Sequence, residues 1–450
     1  MNASPPTASR PKVAKFGGTS LASAAQMQKV RRIVLADPTR RIIVPSAPGK
    51  RTPDDRKITD LLYLCHDAAQ QGLSFNEAFG VVADRFRTLV SELNITLDID
   101  TLLTTAQKGI ADAAYNGLGA DFAASRGEFL NGHVLATLLD CTFVDAAEVI
   151  FFKSNGQLDE TQTHGALVEK LEGTHRTVVP GFYGTHPEGH IQTFSRGGSD
   201  VTGAVVARAM NASVYENWTD VSGLLMTDPR IVDHPAVIDS LTYRELRELS
   251  YSGATVLHAE AVFPVRAAGI PVNIRNTNAP DHPGTQIVDS QDAAPTAYPI
   301  TGIAGRKDFT VINLEKDLMN EAVGYVERVL GVLRRSGVSF EHVPSGIDTL
   351  SIVVADAQVA GKLDGLIEEI RREVDPDAID VDPHLALIAT VGRNMKTQPG
   401  MAATLFSALA QANVNIRMID QGSGELNIIV GVNVADYETA VRAIYAAFVH

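Results

Sequence analysis

The residues best suited to hold a phosphate lie near the N-terminus, in Val13-Ala-Lys-Phe-Gly-Gly-Thr-Ser20. The stretch reads as a short strand, a glycine turn and the opening of a helix that continues over 26–36. Gly17 and Gly18 permit backbone angles closed to other residues, so neighbouring N–H groups can turn toward one point. Thr19 and Ser20 are helix-capping types, and a helix start carries partial positive charge that favours an anion. Lys15 adds a full charge. An ordinary strand-to-helix turn with a surface lysine fits this stretch equally well. A second junction of the same kind, Ser195-Arg-Gly-Gly-Ser-Asp200, sets Arg196, Ser199 and Asp200 ahead of a helix expected over 201–210. Two such turns at one sheet edge would form a paired anion site at the strand C-termini. Phosphoryl transfer needs that arrangement: cations and N–H groups aimed at the moving group, with in-line positioning. Lys15 suits a point charge on phosphate, and Arg196 suits a bidentate hold on a carboxylate.

Other polar residues extend the candidate site. Glu128 and Asp200, read as acids at helix starts, suit a substrate ammonium or a metal, or are ordinary first-turn acids. Ser46 and Thr59 offer hydroxyls near a strand over 41–46, or are a turn residue and a helix cap. Thr219-Asp220 and Asp228-Pro-Arg230 could hold a nucleotide or form two β-turns. The loop 47–52 is not a P-loop, because Val44 stands at the first glycine position and Arg51 follows Lys50. His186 and His190 sit in a Pro/Gly loop, a poor frame for a metal, and read as surface residues.

These residues need elements to position them. The 450-residue chain is 45% hydrophobic and 20% charged, enough for a sizeable core. Its formal net charge of −14 argues against nucleic acid or an anionic membrane as partner, so anion-holding cations must be concentrated locally. Cys65 and Cys141 sit in apolar runs and make neither a disulfide framework nor a zinc spacing, which fits a cytoplasmic location. Residues 1–12 read as a disordered tail, and no apolar run is long enough to span a membrane. Over 13–290, strands alternate with helices expected at 61–70, 75–93, 101–116, 126–139 and 201–210, and at 252–268 with an interruption at Pro264. This predicts an open α/β domain with a mainly parallel, doubly wound sheet. After a linker at 291–300, Gly324 and Gly400, Leu333 and Leu409, and Val338 and Val414 recur at one constant offset. That repeat predicts two tandem α+β units of βαββ type, 301–380 and 381–450, with strands such as 338–342 and no acid/base constellation.

Four motifs, Lys15-Phe-Gly-Gly-Thr-Ser20, Arg196-Gly-Gly-Ser-Asp200, Trp218-Thr-Asp220 and Thr227-Asp-Pro-Arg230, occur in this order. Together they resemble aspartate kinases of the amino-acid-kinase superfamily, and the C-terminal units resemble ACT domains. The resemblance spans nearly the whole chain, and the first two motifs separate it from glutamate 5-kinase, acetylglutamate kinase and uridylate kinase. It implies ATP-dependent phosphorylation of the side-chain carboxylate of L-aspartate to 4-phospho-L-aspartate. That is the first step toward lysine, threonine and methionine, here without a fused homoserine dehydrogenase. On this resemblance Lys15 would neutralise the transferring phosphoryl group, and the amides of Gly17, Gly18, Thr19 and Ser20 would cradle it. Arg196 would clamp the α-carboxylate, Glu128 would take the ammonium, and Asp200 would order this end of the site. Ser46, Thr59 and Ser199 would orient the reacting carboxylate, while Thr219, Asp220, Asp228 and Arg230 would line the nucleotide pocket. Mg2+ would arrive with the ATP phosphates, with no protein ligand assigned to it. No general base is needed, because a carboxylate is already ionised at neutral pH. Leu225 and Thr255 depart from the tyrosine and lysine that many relatives carry on the nucleotide side.

The ACT-like pair implies feedback control by lysine, threonine or both, and assembly into a homodimer or higher oligomer through these units. The effector loops of the first unit would be 319–324 and 343–349, with Met319, Gly324, Ser345 and Asp348 as contacts; alternatively these loops build only a subunit interface. Two other readings remain from the residues: a superfamily kinase for glutamate or a nucleotide, or a non-catalytic amino-acid sensor. Arg196 and Glu128 favour a short amino acid with both α-groups free.

Overall fold

Val13, Ala14, Lys15 and Phe16 are buried in succession, which a strand tolerates only when helices cover both faces of its sheet. The computed structural model describes residues 10–195, 197–254, 259–290, 292–293, 296–422, 424 and 426–449. The strands of the first sheet region, in chain order, are β1 (Lys12–Phe16), β2 (Arg40–Pro45), β3 (Thr142–Phe143), β4 (Thr177–Val178), the hairpin pair β5 (Tyr183–Thr185) and β6 (Ile191–Thr193), β7 (Val214–Thr219), β8 (Ser240–Thr242), β9 (Val272–Asn276) and β10 (Thr285–Val288). Eight of them make one sheet in the order β3-β4-β2-β1-β7-β9-β10-β8. The first six run parallel, β10 is antiparallel to β9, and β8 pairs parallel with β10. The expected open, mainly parallel sheet is therefore present, and it carries the C-terminal ends of β1, β2, β4, β7 and β9 to one edge.

The helices around this sheet are α1 (Ala24–Ala36), α2 (Ile58–Gln70), α3 (Asn76–Leu93), α4 (Ile99–Tyr115), α5 (Asp121–Leu139), α6 (Ala146–Val149), α7 (Glu160–Leu171) and α8 (Gly198–Ala209). Helix α5 differs most from its sequence reading. It begins at Asp121 rather than Arg126, so Glu128 lies mid-helix and not at a helix start. The cause is burial nearly all round: Ser125, Arg126, Gly127, Glu128, Asn131 and Gly132 are as buried as Leu130 and Val134. Such a helix has no polar face, and periodicity cannot mark its first turn. Its glycines admit close neighbours, since a Cβ on Gly132 would stand 2.9 Å from both Phe143 and Pro180.

Under the sheet, Glu216 is 2% exposed and accepts from Arg40 at 2.7 and 3.1 Å and from Trp218 Nε1 at 2.9 Å. The Trp218 ring stacks on Phe16, with the guanidinium groups of Arg40 and Arg275 at 5.2 and 4.6 Å from its centre. Removing one partner of such a group strands buried charge. Glu216→Ala is expected to destabilise the fold by about 3–5 kcal/mol, read by urea titration. The expected tail needs one correction. Met1–Ser9 lie outside the described residues, but Arg10 donates to Asn211 and Ala212 oxygens at 2.7–2.9 Å and Lys12 already belongs to β1.

The chain divides into two units: Met1–Leu224 with Asp239–Tyr243 and Leu257–Ala294, and Leu225–Ile238 with Arg244–Val256 and Pro295–His450. The second unit contains α9 (Tyr243–Tyr251) apart from its first residue, while α10 (Phe263–Ala267) belongs to the first unit, with Pro264 in its opening turn rather than kinking a longer helix. Two segments of 13–290 thus belong with the C-terminal unit, and hydrogen bonds give the reason. Ile303 N–H donates to Met226 O at 2.6 Å, Thr301 Oγ1 to Glu245 at 2.5 Å, and Asn427 Nδ2 to Glu248 at 2.7 Å.

The second unit's remaining strands are β11 (Gly302–Glu315), β12 (Thr349–Ala355), β13 (Ala378–Val391), β14 (Met418–Asp420) and β15 (Asn427–Asn433), and its helices are α11 (Tyr325–Arg335), α12 (Asp356–Val359), α13 (Leu363–Val374), α14 (Met401–Gln411) and α15 (Tyr437–Phe448). Two α+β repeats are present, fused through one five-stranded sheet of order β12-β11-β13-β15-β14. The long strands β11 and β13 pair antiparallel throughout, so each repeat is completed by half a strand from the other. The joint falls at a register shift near Arg306–Phe309, where Asp308 has φ +70°. A separate repeat would leave a sheet edge unpaired, and sharing the long strands removes that edge. The strand expected over 338–342 is reduced to a single bridge from His342 to Val353.

Candidate phosphoryl-transfer site

Phe16 pairs with Pro45 on one side and Trp218 on the other, so the loops after β1, β2 and β7 leave the same edge together. Gly18 and Gly49 are glycines for want of room rather than for left-handed geometry. A Cβ on Gly18 would lie 2.9 Å from Ala47 O, and one on Gly49 would lie 2.6 Å from the Gly18 carbonyl carbon. Gly17 is extended, with φ −70° and ψ 163°. The turn is narrower than the expected four-amide cradle. Gly17 N–H donates to Trp218 O at 2.9 Å and Ser20 N–H to Gly17 O at 3.0 Å. The Gly18 and Thr19 N–H groups have no acceptor among the described residues and are available to an anion. Nor do Thr19 and Ser20 cap the helix. They lie in the 3-10 turn Gly18–Leu21, Ser23 Oγ caps α1 by accepting from Gln26 N–H, and Ser20 Oγ shares a 2.7 Å hydrogen bond with Thr277 Oγ1.

Lys15 points along this edge. It is 8% exposed and its Nζ lies 2.6 Å from Asp200 Oδ1, which also accepts from Asn217 Nδ2 at 2.8 Å. Asp200 gets there because α8 begins at Gly198, three residues earlier than its sequence reading, capped by Gly197 at φ +56°. Ser199 and Asp200 therefore occupy the first turn, and Ser199 packs so closely that a Cβ on Gly181 would meet its Oγ at 2.6 Å. Phe182 beside it has φ +82°, a strained value for a bulky residue, and its N–H donates to Thr202 Oγ1 at 3.0 Å. Arg196 lies outside the described residues, as does Thr255.

The substrate side is built by α5. Glu128 is 6% exposed, accepts from the Ala47 N–H, and leaves Oε2 without a partner. Burial pushes its carboxyl up to about 8, against the opposing pull of that N–H and of the Arg126 and Lys15 charges. One turn on, Asn131 Nδ2 donates to Ser46 O at 2.7 Å while its Oδ1 also lacks a partner. Ser46 is half-buried at this edge. Thr59 is the second residue of α2 rather than its cap, which is Lys57.

On the β7 side, Thr219 Oγ1 donates to Asp220 at 3.1 Å and Thr219 O accepts from Thr277 N–H at 2.8 Å. Asp228 and Arg230 belong to the second unit, where Arg230 closes on Asp228 at 2.6 Å; Leu225 there bridges to Val237. Of the effector residues, Met319 is buried in a 3-10 turn and Gly324, at φ +79°, caps α11. Asp348 Oδ1 accepts from Leu318 N–H at 3.0 Å, which joins the two loops, and Ser345 bridges to Leu350. Among the described residues, the grouping of His, Cys, Asp or Glu able to share an ion is His186, Glu188 and His190, on the β5–β6 turn.

Asn131, Asn217, Thr277 and Gly49 were not legible as site residues. A signal existed for Asn217: Glu216 and Asn217 are consecutive polar residues inside a strand, flanked by Val214, Tyr215 and Trp218. Asn131 follows Glu128 at helical spacing inside the helix expected over 126–139, so its signal too was present in the sequence.

The chain matches the amino acid kinase family over residues 10–276 and an ACT domain over 388–448. It belongs to the amino acid kinase family, the class that its parallel sheet and glycine turn define. Aspartokinase 3 of Bacillus subtilis (strain 168) is 38% identical over 455 residues, covering 97% of this chain and 98% of that protein. The crystal structure of Clostridium acetobutylicum aspartate kinase is 52% identical, with a TM-score of 0.92 over 97% of this chain and 100% of that one. Within the family, then, the chain falls among the aspartate kinases. E. coli aspartokinase III is 25% identical and matches in complex with aspartate and ADP at a TM-score of 0.73, over 97% of this chain and 99% of that one. In complex with lysine and aspartate it matches at 0.72, over 98% and 100%. No described helix is long and apolar enough to cross a membrane.

Proposed function

We infer that this site transfers the γ-phosphoryl group of ATP to the side-chain carboxylate of L-aspartate. A carboxylate oxygen forms the new bond to phosphorus, the β,γ-bridging bond breaks, and ADP and 4-phospho-L-aspartate leave. The observation that carries the substrate assignment is the pair of partnerless buried acceptors on α5, Glu128 Oε2 and Asn131 Oδ1. An ammonium brings the donors and the positive charge that both lack, and it offsets the desolvation that keeps Glu128 protonated. Arg196 clamps the α-carboxylate, and Ser46, Thr59 and Ser199 orient the reacting carboxylate. Lys15, aimed by Asp200 and Asn217, faces the moving phosphoryl group, whose charge the Gly18 and Thr19 amides share. Thr219 and Asp220 take the nucleotide side, and Mg2+ arrives on the ATP phosphates.

The C-terminal repeats regulate this reaction through an amino-acid effector, lysine or threonine, in the loops around Met319, Gly324, Ser345 and Asp348. They also pair with a second copy of the chain. Support for that pairing comes from Leu318, Val323, Phe340 and Ile347, apolar side chains between 46% and 99% exposed near these loops. The activity is tested by trapping with hydroxylamine in the presence of ATP and aspartate. Aspartyl hydroxamate is the expected product, its rate changing when lysine or threonine is added. Absence of hydroxamate, with phosphorylation of another acid, would overturn the assignment.

A further inference from the structure

Arg85 on α3 is 5% exposed, yet its guanidinium meets oxygens of three separate segments. Nη2 donates to Gly49 O at 2.7 Å and to Ala22 O at 2.9 Å, and Nη1 donates to Asp55 Oδ2 at 2.5 Å. Ala22 closes the 3-10 turn that carries Gly18 and Thr19. Gly49 is the residue against which Gly18 packs, and its N–H donates to Gly18 O at 2.8 Å. Asp55, across the surface loop, is gripped a second time by the Arg51 side chain and N–H at 3.0–3.1 Å. One buried side chain thus ties the far end of the phosphate turn to the loop that supports its near end. The other half of that loop is fastened separately, with Ser46 and Ala47 held by Asn131 and Glu128 of α5.

We propose that Arg85 and Asp55 form a positioning clamp that fixes the Gly18–Thr19 amides and the 49–55 loop for the ATP phosphates, while α5 independently fixes the aspartate side. The proposal rests on the aspartate-kinase reading of the site and assigns Arg85 no contact with substrate. The two terminal nitrogens of the planar guanidinium divide these acceptors, Nη1 taking Asp55 and Nη2 the two carbonyls, whereas an ammonium presents all its donors from a single point. The loop divides into two fastenings, so loss of one affects one substrate.

The test is steady-state kinetics on the full chain with Arg85→Lys, Asp55→Asn and the double variant, each checked by thermal unfolding. Arg85→Lys is expected to raise KM for ATP by about tenfold or more and to lower kcat, leaving KM for aspartate within about threefold. Asp55→Asn, which keeps a side-chain oxygen to accept from Arg85, shifts KM for ATP the same way by about three- to fivefold. The double variant is no more than about twofold worse than Arg85→Lys, because both act on one device. A purely structural arginine would lower the unfolding temperature and leave the two KM values unchanged or raise them equally, and either result overturns the clamp. An unaltered KM for ATP in a folded Asp55→Asn protein overturns it as well. A wild-type protein that makes no aspartyl hydroxamate overturns the aspartate reading itself.

Discussion

Lys15→Met is expected to lower kcat by about 10³-fold or more with the fold intact, the largest effect of any single substitution considered. The Nζ lies at the edge where Gly18 and Thr19 offer their amides, 2.6 Å from Asp200. Removing it takes away the charge that meets the phosphoryl group. It also leaves the Asp200 carboxylate, still hydrogen-bonded by Asn217, facing that group as a like charge. The double variant Lys15→Met/Asp200→Asn should therefore recover about tenfold of the lost rate, a coupling that a simple loss of binding would not produce. The measurement is single-turnover phosphorylation at saturating ATP and aspartate, with circular dichroism to confirm folding. A kcat within tenfold of wild type for Lys15→Met would remove this residue from the chemistry.

The second large effect belongs to Glu128→Gln, and it is pH-dependent in two directions. The carboxyl rises from an ordinary value of 4.5 to about 8 because burial disfavours its charge. Between those values the native state holds a proton that the unfolded chain has released, so stability from this group is present at low pH and falls as pH rises toward 8. Glutamine has no charge to lose. The stability of Glu128→Gln relative to wild type is therefore expected to climb by on the order of 3 kcal/mol between pH 5 and pH 8, read from urea titrations at each pH. Binding runs the opposite way. An ammonium prefers the ionised carboxylate, so wild-type KM for aspartate falls as pH rises from 6 to 8, and aspartate binding at pH 7 releases a proton to the buffer. In Glu128→Gln the KM is about 10²-fold higher and this pH dependence is flat. Equal slopes in the two proteins would show that another group holds the ammonium.

Much of this was determined by the amino-acid sequence alone. Strand-to-helix alternation over 13–290 specified a mainly parallel sheet, and parallel strands necessarily bring the ends of β1, β2 and β7 to one edge, with Lys15, Ser46 and Thr219 on it. The constant offset between Gly324 and Gly400 specified a repeated α+β unit. These are local properties, written in periodicity and in residues that tolerate few alternatives. Tertiary structure decided the rest, wherever burial erased the local signal or one segment acquired its meaning from a distant one. Helix α5 is buried all round, so its start and the interior position of Glu128 left no periodic trace. Gly18 reads as a conformationally free turn residue, yet it and Gly49 are each required by the other's backbone, some 30 residues away along the chain. Gly17 N–H is directed by Trp218 O, and β11 and β13 complete each other's repeats, pairings that exist only once the sheets have closed. A sequence carries the chemistry of its side chains; which of them meet, and which amides remain free for an anion, is settled by long-range hydrogen bonding and by the volume that neighbours leave.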